Sequence, residues 1–514
     1  MLGLDGVPWR LLDRWTENGE LPNLARIVEE GAVGPLESTM PPTTAIAWPS
    51  IATGVGPDRH GLYSFRRLTA QYGHEVNTSA ERRSPALWDV HSPATVANVP
   101  MTYPAQVLDG TLVAGMMTPE IGDGFTHPPE FADEISRDIP DYRIGLSWHD
   151  YYDREREFLA DLADLLSARR ELMRKLMERE DWRLFFFVYT EPDRLQHLIW
   201  DEAVILEHYQ ELDDIVGEVM AYVEERDATL YVASDHGFGP IDRLVHVNRA
   251  LEEYGLLTRQ GGGKRGVLET AGITKENLLG ILDRLGFDEA FLEALPSAVL
   301  DRIASSVPGG HGLYDVDFSN TRAFVYGTRC VYVNDTDRFE EGTVRPEEIE
   351  SVKAKVRAAF ADVTDPETGE AILEVYDGDD LFPADPDSPD LVVHAAAGYL
   401  ADTALATEVF APGDRDGAHE PEGIFLAWGP HVKAGARTRA ATVFDVAPTL
   451  LHGVGKPIPE TTAGRVLEEI CEDDSPPARR PIETRAYADP DERAAIDADF
   501  EEVEGRLRGL GYIE

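Results

Sequence analysis

The sequence predicts an α/β protein in which helices flank a mostly parallel central sheet. Short apolar runs alternate along the chain with stretches that have the amphipathic period of a helix, which is typical of such a sheet. At 514 residues the chain exceeds the size of a single ordinary core, so we expect one large domain with insertions, or two domains. Hydrophobic residues make up 43% of the chain, as in globular enzymes and unlike disordered chains.

The predicted strands are short apolar runs that end at informative residues, and they cover 2–5, 184–190, 229–234, 391–394 and 424–428. The predicted helices are amphipathic stretches, and they cover 9–30, 154–180, 202–225, 346–361 and 443–452. The first run is about two residues shorter than a usual strand. This length is expected if the strand is truncated or if the natural start codon lies upstream.

We predict one core that comprises residues 1–257 and 321–473. The segment 258–320 begins with a glycine-rich stretch and ends near a Pro-Gly-Gly sequence, with helical patterning between them. We interpret this segment as an insertion or lid. Residues 474–514 are predicted to be a linker rich in Pro, Arg and Asp, followed by a short helix over 496–509.

The net charge of −48 at pH 7 is the most unusual global property of the chain. Asp and Glu number 95 against 47 Lys and Arg, and the acids are spread along the whole sequence. A protein with this charge repels itself in dilute buffer and needs screening by salt. We therefore predict a protein of a high-salt cytoplasm, with a surface made for a basic partner as the alternative. The charge argues against a role in coating nucleic acid.

Other compartment signals agree with the cytoplasm. No stretch approaches the roughly 18 to 20 apolar residues that span a bilayer. The first residues lack the basic region and apolar run of a signal peptide. The two cysteines, Cys330 and Cys471, are too few and too far apart for a disulfide framework.

Three candidate metal ligands, at two places in the chain, follow predicted strands. Asp5 ends an apolar run before Gly6, so its carboxylate is expected at the edge of the sheet where α/β proteins place their sites. An Asp in this position is also a common helix cap. Asp235 and His236 follow the strand TLYVA, and a carboxylate beside an imidazole suits zinc or manganese. A plain turn explains the same residues without a metal.

Three further candidates are Asp193, His197 and His419. Asp193 and His197 follow the apolar run LFFFVYT at a spacing of four, which places both on one face of a helix. A helix cap and a surface histidine would give the same pattern. His419 lies in a loop before the strand IFLAW. A lone histidine in a loop is usually structural, so His419 is a candidate only as a third ligand of the ion that Asp193 and His197 would bind.

A hydroxyl candidate follows two prolines. Thr43 and Thr44 open a predicted helix, whose first N–H groups suit an anion. A free hydroxyl is a poor nucleophile at neutral pH, and a divalent metal on its oxygen would remove the need for a separate base.

Together these residues predict two groups of metal ligands. The first group comprises Asp5, Asp235 and His236, completed by Thr44. The second group comprises Asp193, His197 and His419. Two ions roughly 4 Å apart would clamp the attacking and leaving oxygens of a displacement at phosphorus.

The sequence resembles the alkaline phosphatase superfamily, in its type I phosphodiesterase and nucleotide pyrophosphatase branch. The matching motifs are GLDG at 3–6, PPTTAIAWPSIATG at 41–54, His60-Gly61, Asp193/His197, SDHG at 234–237, HEPEGIFLAWGP at 419–430 and VFDVAPTLLHGVGKPIP at 443–459. These motifs occur in the family's order over most of the chain.

This resemblance implies a phosphohydrolase of a small-molecule phosphate ester with two zinc or manganese ions. It implies Thr44 as the nucleophile, because Thr44 and not Thr43 has the family's spacing to Thr53. A phosphothreonine would form and would then be hydrolysed by water from the opposite face. The chain departs from the family at Phe65, where nucleotide pyrophosphatases carry an Asn that helps bind the phosphoryl oxygens. Phenylalanine has no donor for this charge, so nucleotide diesters are less favoured.

Two alternatives remain open. A phosphotransferase or mutase resembling the cofactor-independent phosphoglycerate mutases would share the metal arrangement, although that group uses a Ser nucleophile. A catalytically silent binding protein of the same fold would have lost metal ligands. Several other polar residues are predicted to have structural roles: His60, His246, His311, His452 and Asp445. His394 lies in a predicted buried strand and is predicted to be a core histidine whose hydrogen bonds are satisfied.

Overall fold

The structure, a computed structural model, describes residues 1–179, 182–260 and 313–488. Its strands are β1 (Leu2–Leu4), β2 (Ala32–Glu37), β3 (Arg66–Leu68), β4 (His74–Val76), β5 (Ala94–Ala97), β6 (Gly110–Val113), β7 (Thr126–His127), β8 (Leu184–Tyr189), β9 (Leu230–Ala233), β10 (Gly237–His246), β11 (Ala323–Tyr326), β12 (Cys330–Val333), β13 (Leu373–Asp377), β14 (Leu391–Ala395), β15 (Gly398–Asp402), β16 (Phe410–Pro412), β17 (Gly417–Glu420), β18 (Glu422–Trp428), β19 (Ala436–Arg437), β20 (Ala441–Thr442), β21 (Ile458–Pro459) and β22 (Thr484–Arg485). Its helices are α1 (Trp9–Glu17), α2 (Pro22–Glu30), α3 (Thr44–Thr53), α4 (Pro57–His60), α5 (Leu87–Val90), α6 (Phe131–Asp138), α7 (Glu155–Met177), α8 (Glu191–Leu198), α9 (Glu202–Glu224), α10 (Val247–Glu253), α11 (Ile349–Ala361), α12 (Gly378–Leu381), α13 (Val446–Gly453) and α14 (Pro476–Arg479).

A large sheet with a parallel centre organises the molecule, and the predicted α/β fold is confirmed. The strands β6, β5, β8, β1 and β9 are neighbours and run parallel to one another. Beyond β9 the sheet continues through the antiparallel strand β18 to β2. The short strand β1 lies in the middle, and all three of its residues are buried. Apolar residues throughout such a strand are expected when helices cover both faces of the sheet.

The predicted helices are present with small shifts, except for the first. The stretch 9–30 was predicted as one helix, but it forms α1 and α2, separated at Asn18 and Gly19. Gly19 has a φ of 76°, a left-handed conformation that suits glycine, and Pro22 then starts α2 at a position where its missing N–H costs nothing. Continuous apolar periodicity concealed this break.

A second, antiparallel sheet has the strand order β11, β12, β14, β13 and its own hydrophobic core. The helices α10 and α11 pack beside it. The predicted strand 391–394 belongs here, as β14, and not to the parallel sheet. Its apolar run resembles a parallel-sheet strand because β14 is an inner strand between β12 and β13.

Parts of the predicted organisation fall outside the described residues. Most of the predicted insertion, residues 261–312, and the predicted terminal helix over 496–509 lie there, so the domain boundaries stay predictions. Within the described ranges, no helix combines the length and apolarity that a bilayer crossing requires. The high-salt cytoplasm also stays a prediction.

Candidate metal centre

Three neighbouring parallel strands end at the candidate site. Asp5 follows β1, and Asp193 and His197 lie in α8 directly after β8. Asp235 and His236 follow β9. Because the carboxyl ends of parallel strands meet at one edge of a sheet, these side chains converge although they are far apart in sequence.

Two other elements bring the remaining predicted residues to the same edge. Thr44 is the first residue of α3, and its side chain is fully buried. His419 lies in β17, which pairs with β10 so that His419 is opposite Phe238. The rings of His419 and His236 stack with their centroids 3.8 Å apart. The structure therefore brings all seven predicted residues into one site.

One group of possible metal ligands is Asp193, His197 and His419. The Nε2 atoms of the two histidines are 3.1 Å apart, and the Nε2 atoms of His419 and His197 lie 3.1 Å and 3.5 Å from Asp193 Oδ1. Ligands about 2.0 Å from a tetrahedral zinc ion are roughly 3.3 Å apart from one another. The three atoms thus have the separations of ligands that share one ion.

The second group differs from the predicted one in its third member. Ligand atoms of Asp5, His236 and Asp193 lie within 4.8 Å of one another. Asp235, which the sequence assigned to this group, also approaches it, with Oδ2 3.2 Å from His236 Nε2. Its other oxygen, Oδ1, accepts the Gly6 N–H at 3.2 Å. Asp193 is therefore common to both groups, a relation that sequence spacing does not reveal.

The electrostatics of the two groups fit a bound cation. Asp5 Oδ1 and Asp235 Oδ2 are buried and have no hydrogen-bond partner within the described ranges. Burial, followed by Asp235 and Asp193, raises the pKa of Asp5 well above its usual value. Burial and the charge of Asp193 raise the pKa of Asp235 to about 8. A divalent cation would offset this repulsion and keep both carboxylates ionised.

The histidines are also in the form that binds metals. Burial lowers the pKa of His197 and of His236 well below the usual value, so both imidazoles are neutral at pH 7. Burial acts to raise the pKa of Asp193, but His197 and His419 outweigh it and lower that pKa. Carboxylate oxygens with neutral imidazole nitrogens form a donor set that suits zinc or manganese.

The threonine hydroxyl lies inside this arrangement. Thr44 Oγ1 is 3.3 Å from His236 Nε2. Thr43, its neighbour, is the N-cap residue of α3 and has an extended backbone. Phe65 is 1% exposed and packs in the main hydrophobic core, so it offers the site no donor.

A tryptophan that the sequence analysis left without a role supports Asp5. Trp48 is fully buried in α3, and its Nε1–H donates a hydrogen bond to Asp5 Oδ2 at 3.1 Å. The Trp48 ring also occupies the space beside Gly3, where an added Cβ would lie 2.3 Å from the ring. Glycine in the GLDG motif thus allows α3 to pack closely on β1, which brings the indole to Asp5. Trp48 lies in the motif PPTTAIAWPSIATG, but the spacing of that motif does not indicate this contact.

We expect Trp48→Phe to weaken metal binding by about 10- to 100-fold, because it removes the hydrogen bond that orients Asp5. Competition with a zinc chelator measures the affinity. Trp88→Phe is the matched control: Trp88 also packs against Phe186, but its Nε1 has no hydrogen-bond partner in the described part of the chain. Equal zinc affinities in the two variants would show that the hydrogen bond does not hold Asp5 in place.

Two buried arginines near the site were also missed. Arg169 forms an ion pair at 2.9 Å with Glu191, at the turn between β8 and α8, and both side chains are buried. Arg194 Nη1 lies 3.9 Å from Asp193 Oδ2. Arginine is usually exposed, so only the tertiary structure shows that these two residues stabilise the segment that carries Asp193.

The other polar residues are mostly structural, as predicted. His60 Nε2 is 3.1 Å from Ser50 Oγ, and burial lowers the pKa of His60 to about 3, so the ring is neutral. Asp445 accepts the Thr442 N–H at 2.8 Å, as a cap does. The prediction for His394 was wrong: its Nδ1 is buried without a hydrogen-bond partner among the described residues, and the ring lines a cavity. His311 lies outside the described residues.

The fold is that of the alkaline phosphatase superfamily. The chain belongs to the type I phosphodiesterase/nucleotide pyrophosphatase family, which it matches over residues 1–419. It is therefore a phosphoric ester hydrolase, and the resemblance drawn from its motifs is confirmed. The family implies divalent metal ions, and the two ligand groups are compatible with them.

Solved structures agree at the level of the fold. Murine ectonucleotide pyrophosphatase/phosphodiesterase 5 is 12% identical with a TM-score of 0.50, and the match covers 89% of this chain and 95% of that one. An inactive variant of the murine protein in complex with AMP is 12% identical with a TM-score of 0.50, and the match covers 89% of this chain and 94% of that one. The human protein is 12% identical with a TM-score of 0.46, and the match covers 88% of this chain and 94% of that one. No curated protein matches the sequence.

Proposed function

We propose that the chain is a two-metal phosphohydrolase that cleaves a phosphodiester or phosphomonoester through a phosphothreonine on Thr44. The observation that carries this proposal is the position of the Thr44 hydroxyl, 3.3 Å from His236 Nε2 and beside two ligand groups that share Asp193. Asp5, Asp235 and His236 would hold one zinc or manganese ion with Thr44. Asp193, His197 and His419 would hold the other, and the Asp193 carboxylate would also reach the first ion.

When bound, the cations supply Lewis-acid stabilisation of negative charge on oxygen and lower the pKa of the hydroxyl. The Thr44 hydroxyl loses its proton to solvent, and its oxygen forms a bond to phosphorus while the bond to the leaving oxygen breaks and that oxygen departs with the electron pair. In a second step, water forms a bond to phosphorus and loses a proton, while the bond to Thr44 Oγ1 breaks and Oγ1 takes up a proton. Phosphate or a phosphate monoester leaves, and the threonine is restored.

The chain's own groups position these steps. Thr44 starts α3, so N–H groups of the first helical turn would lie near the phosphoryl oxygens. These groups would take the role of the Asn that nucleotide pyrophosphatases carry at the position of Phe65. One murine relative is solved as an inactive threonine-to-alanine variant with AMP, which supports a threonine as an important residue in that protein. Neither a mutase nor a silent binding protein gains a specific supporting observation from the described residues.

A substrate panel in high-salt buffer tests the proposal. We expect metal-dependent hydrolysis of bis-p-nitrophenyl phosphate, p-nitrophenyl phosphate or a nucleotide diester. Chelation should reduce turnover to background, and zinc or manganese should restore it. The released p-nitrophenol, or the released nucleotide, gives the rate. Full activity after chelation, with no metal left in the protein, would rule out the two-metal hydrolase.

A further inference from the structure

A cavity of about 440 Å³ lies directly beside the metal ligands. His419 lines it from the side of the metal centre. The opposite lining comes from the second sheet and the strand β15 next to β10, and includes Tyr376, His394 and Tyr399. A molecule bound at the metal centre would extend into this space, because His419 belongs to both.

Arg329 is a cationic side chain that lines this cavity. It lies in the turn between β11 and β12 with a φ of 67°, a left-handed conformation that is uncommon outside glycine. Within the described ranges, its guanidinium makes no ion pair and no side-chain hydrogen bond. Burial, followed by the charge of Arg415, lowers the pKa of Arg329 to about 10, so the group still carries its charge at pH 7.

The carboxylates that line the same cavity are already satisfied or solvated. Glu374 accepts a hydrogen bond from the Tyr376 hydroxyl at 2.6 Å. Glu420 lies 3.9 Å from Arg10 Nε in an ion pair. Glu422 is exposed to water. The neutral ring of His394 adds a polar atom, Nδ1, that has no hydrogen-bond partner in the part of the chain that the structure describes. The cavity therefore combines a guanidinium that forms no ion pair with an imidazole nitrogen that has no hydrogen-bond partner, both judged among the described residues, and together they suit an oxyanion.

We propose that Arg329 binds a second oxyanion of the substrate, a phosphate or a carboxylate, and that the enzyme prefers phosphate esters that carry such a group. This inference rests on the proposed function, because it assumes that the scissile phosphorus lies at the metal centre. It names the substrate class: esters with an anionic substituent on the part of the molecule that occupies the cavity. Arg329 is then a specificity-determining residue.

A series of p-nitrophenyl phosphodiesters tests this proposal with one leaving group throughout. The second substituent is ethyl, 2-carboxyethyl or 2-phosphonoethyl, and the two anionic members distinguish a carboxylate from a phosphate. We expect kcat/KM to be about 10- to 100-fold higher for an anionic ester than for the ethyl ester. Arg329→Met should bring this ratio close to one, and Arg329→Lys should restore part of it.

Arg243→Met is the matched control. Arg243 lies on β10, does not line the cavity and pairs with Glu367 at 2.9 Å. Circular dichroism and zinc content establish that each variant is folded and loaded. The proposal fails if the wild type shows no preference for anionic esters, or if Arg329→Met keeps that preference.

A binding measurement separates this inference from the proposed function. Calorimetric titration of zinc-loaded Thr44→Ala compares ethylphosphonate with 3-phosphonopropionate, which differ by one carboxylate. We expect 3-phosphonopropionate to bind about 10- to 100-fold more tightly than ethylphosphonate. In the double variant that also carries Arg329→Met, we expect the two phosphonates to bind equally tightly. If no ester is hydrolysed but this difference in binding is observed, the proposed hydrolase function is wrong and the proposed anion site at Arg329 is supported. Equal binding of both phosphonates, together with hydrolysis that shows no preference, overturns the anion site alone.

Discussion

Thr44→Ala is expected to reduce turnover by at least about 10⁴-fold, as the loss of a covalent nucleophile does in other hydrolases. The alanine removes the only atom that would form the bond to phosphorus. Metal content should remain at the wild-type level, because the carboxylates and imidazoles stay in place. Initial rates on the best substrate of the panel, with zinc or manganese measured by mass spectrometry on the same sample, check both parts of the result.

Thr43→Ala provides the matched control, since it removes the same hydroxyl one position earlier. Thr43 is buried and caps α3 without a side-chain hydrogen bond to the helix, so we expect its replacement to change turnover by less than about tenfold. Thr44→Ser should keep a measurable part of the activity and should trap a phosphoserine after rapid quenching. A fully active Thr44→Ala, or equal losses from both alanine variants, would end the assignment of the nucleophile.

Much of the site could be predicted because each residue ends a recognisable element. Asp5, Asp193 and Asp235 all follow apolar strands, and strand ends in a parallel sheet meet whatever their separation in sequence. The fold class followed from the same alternation of apolar runs and amphipathic stretches. The sequence predicted Asp193 in one ligand group only, whereas in the structure its carboxylate lies near the ligand atoms of both groups.

Other features depend on contacts that no pattern records. The Trp48 indole reaches Asp5 because Gly3 leaves room for its ring, a relation between a helix and a strand more than 40 positions apart. His394 lies in an apolar run that indicated a satisfied core residue, yet its ring lines the cavity. The break between α1 and α2 was hidden because both helices bury apolar residues against the same core.

The second large effect is expected for Asp193→Asn. Asp193 has a ligand atom in both groups, whereas His197 and His419 belong to one group only. Removing the Asp193 charge should therefore weaken both sites, because two ions would share its carboxylate. We expect metal content to fall from about two ions per chain to below about one, and turnover to fall by at least about 10³-fold. Asparagine keeps the shape of the side chain, so the change is one of charge.

His419→Ala gives the contrast, because it removes a ligand from a single group. We expect it to retain about one ion per chain, held by the group that contains Asp5 and His236. Equilibrium dialysis against zinc, followed by metal analysis, resolves the two stoichiometries, and circular dichroism shows whether each variant is folded. If Asp193→Asn also retains one ion with undiminished affinity, the carboxylate serves only one cation. In that case Asp235, whose Oδ2 lies 3.2 Å from His236 Nε2, completes the other group as the sequence predicts.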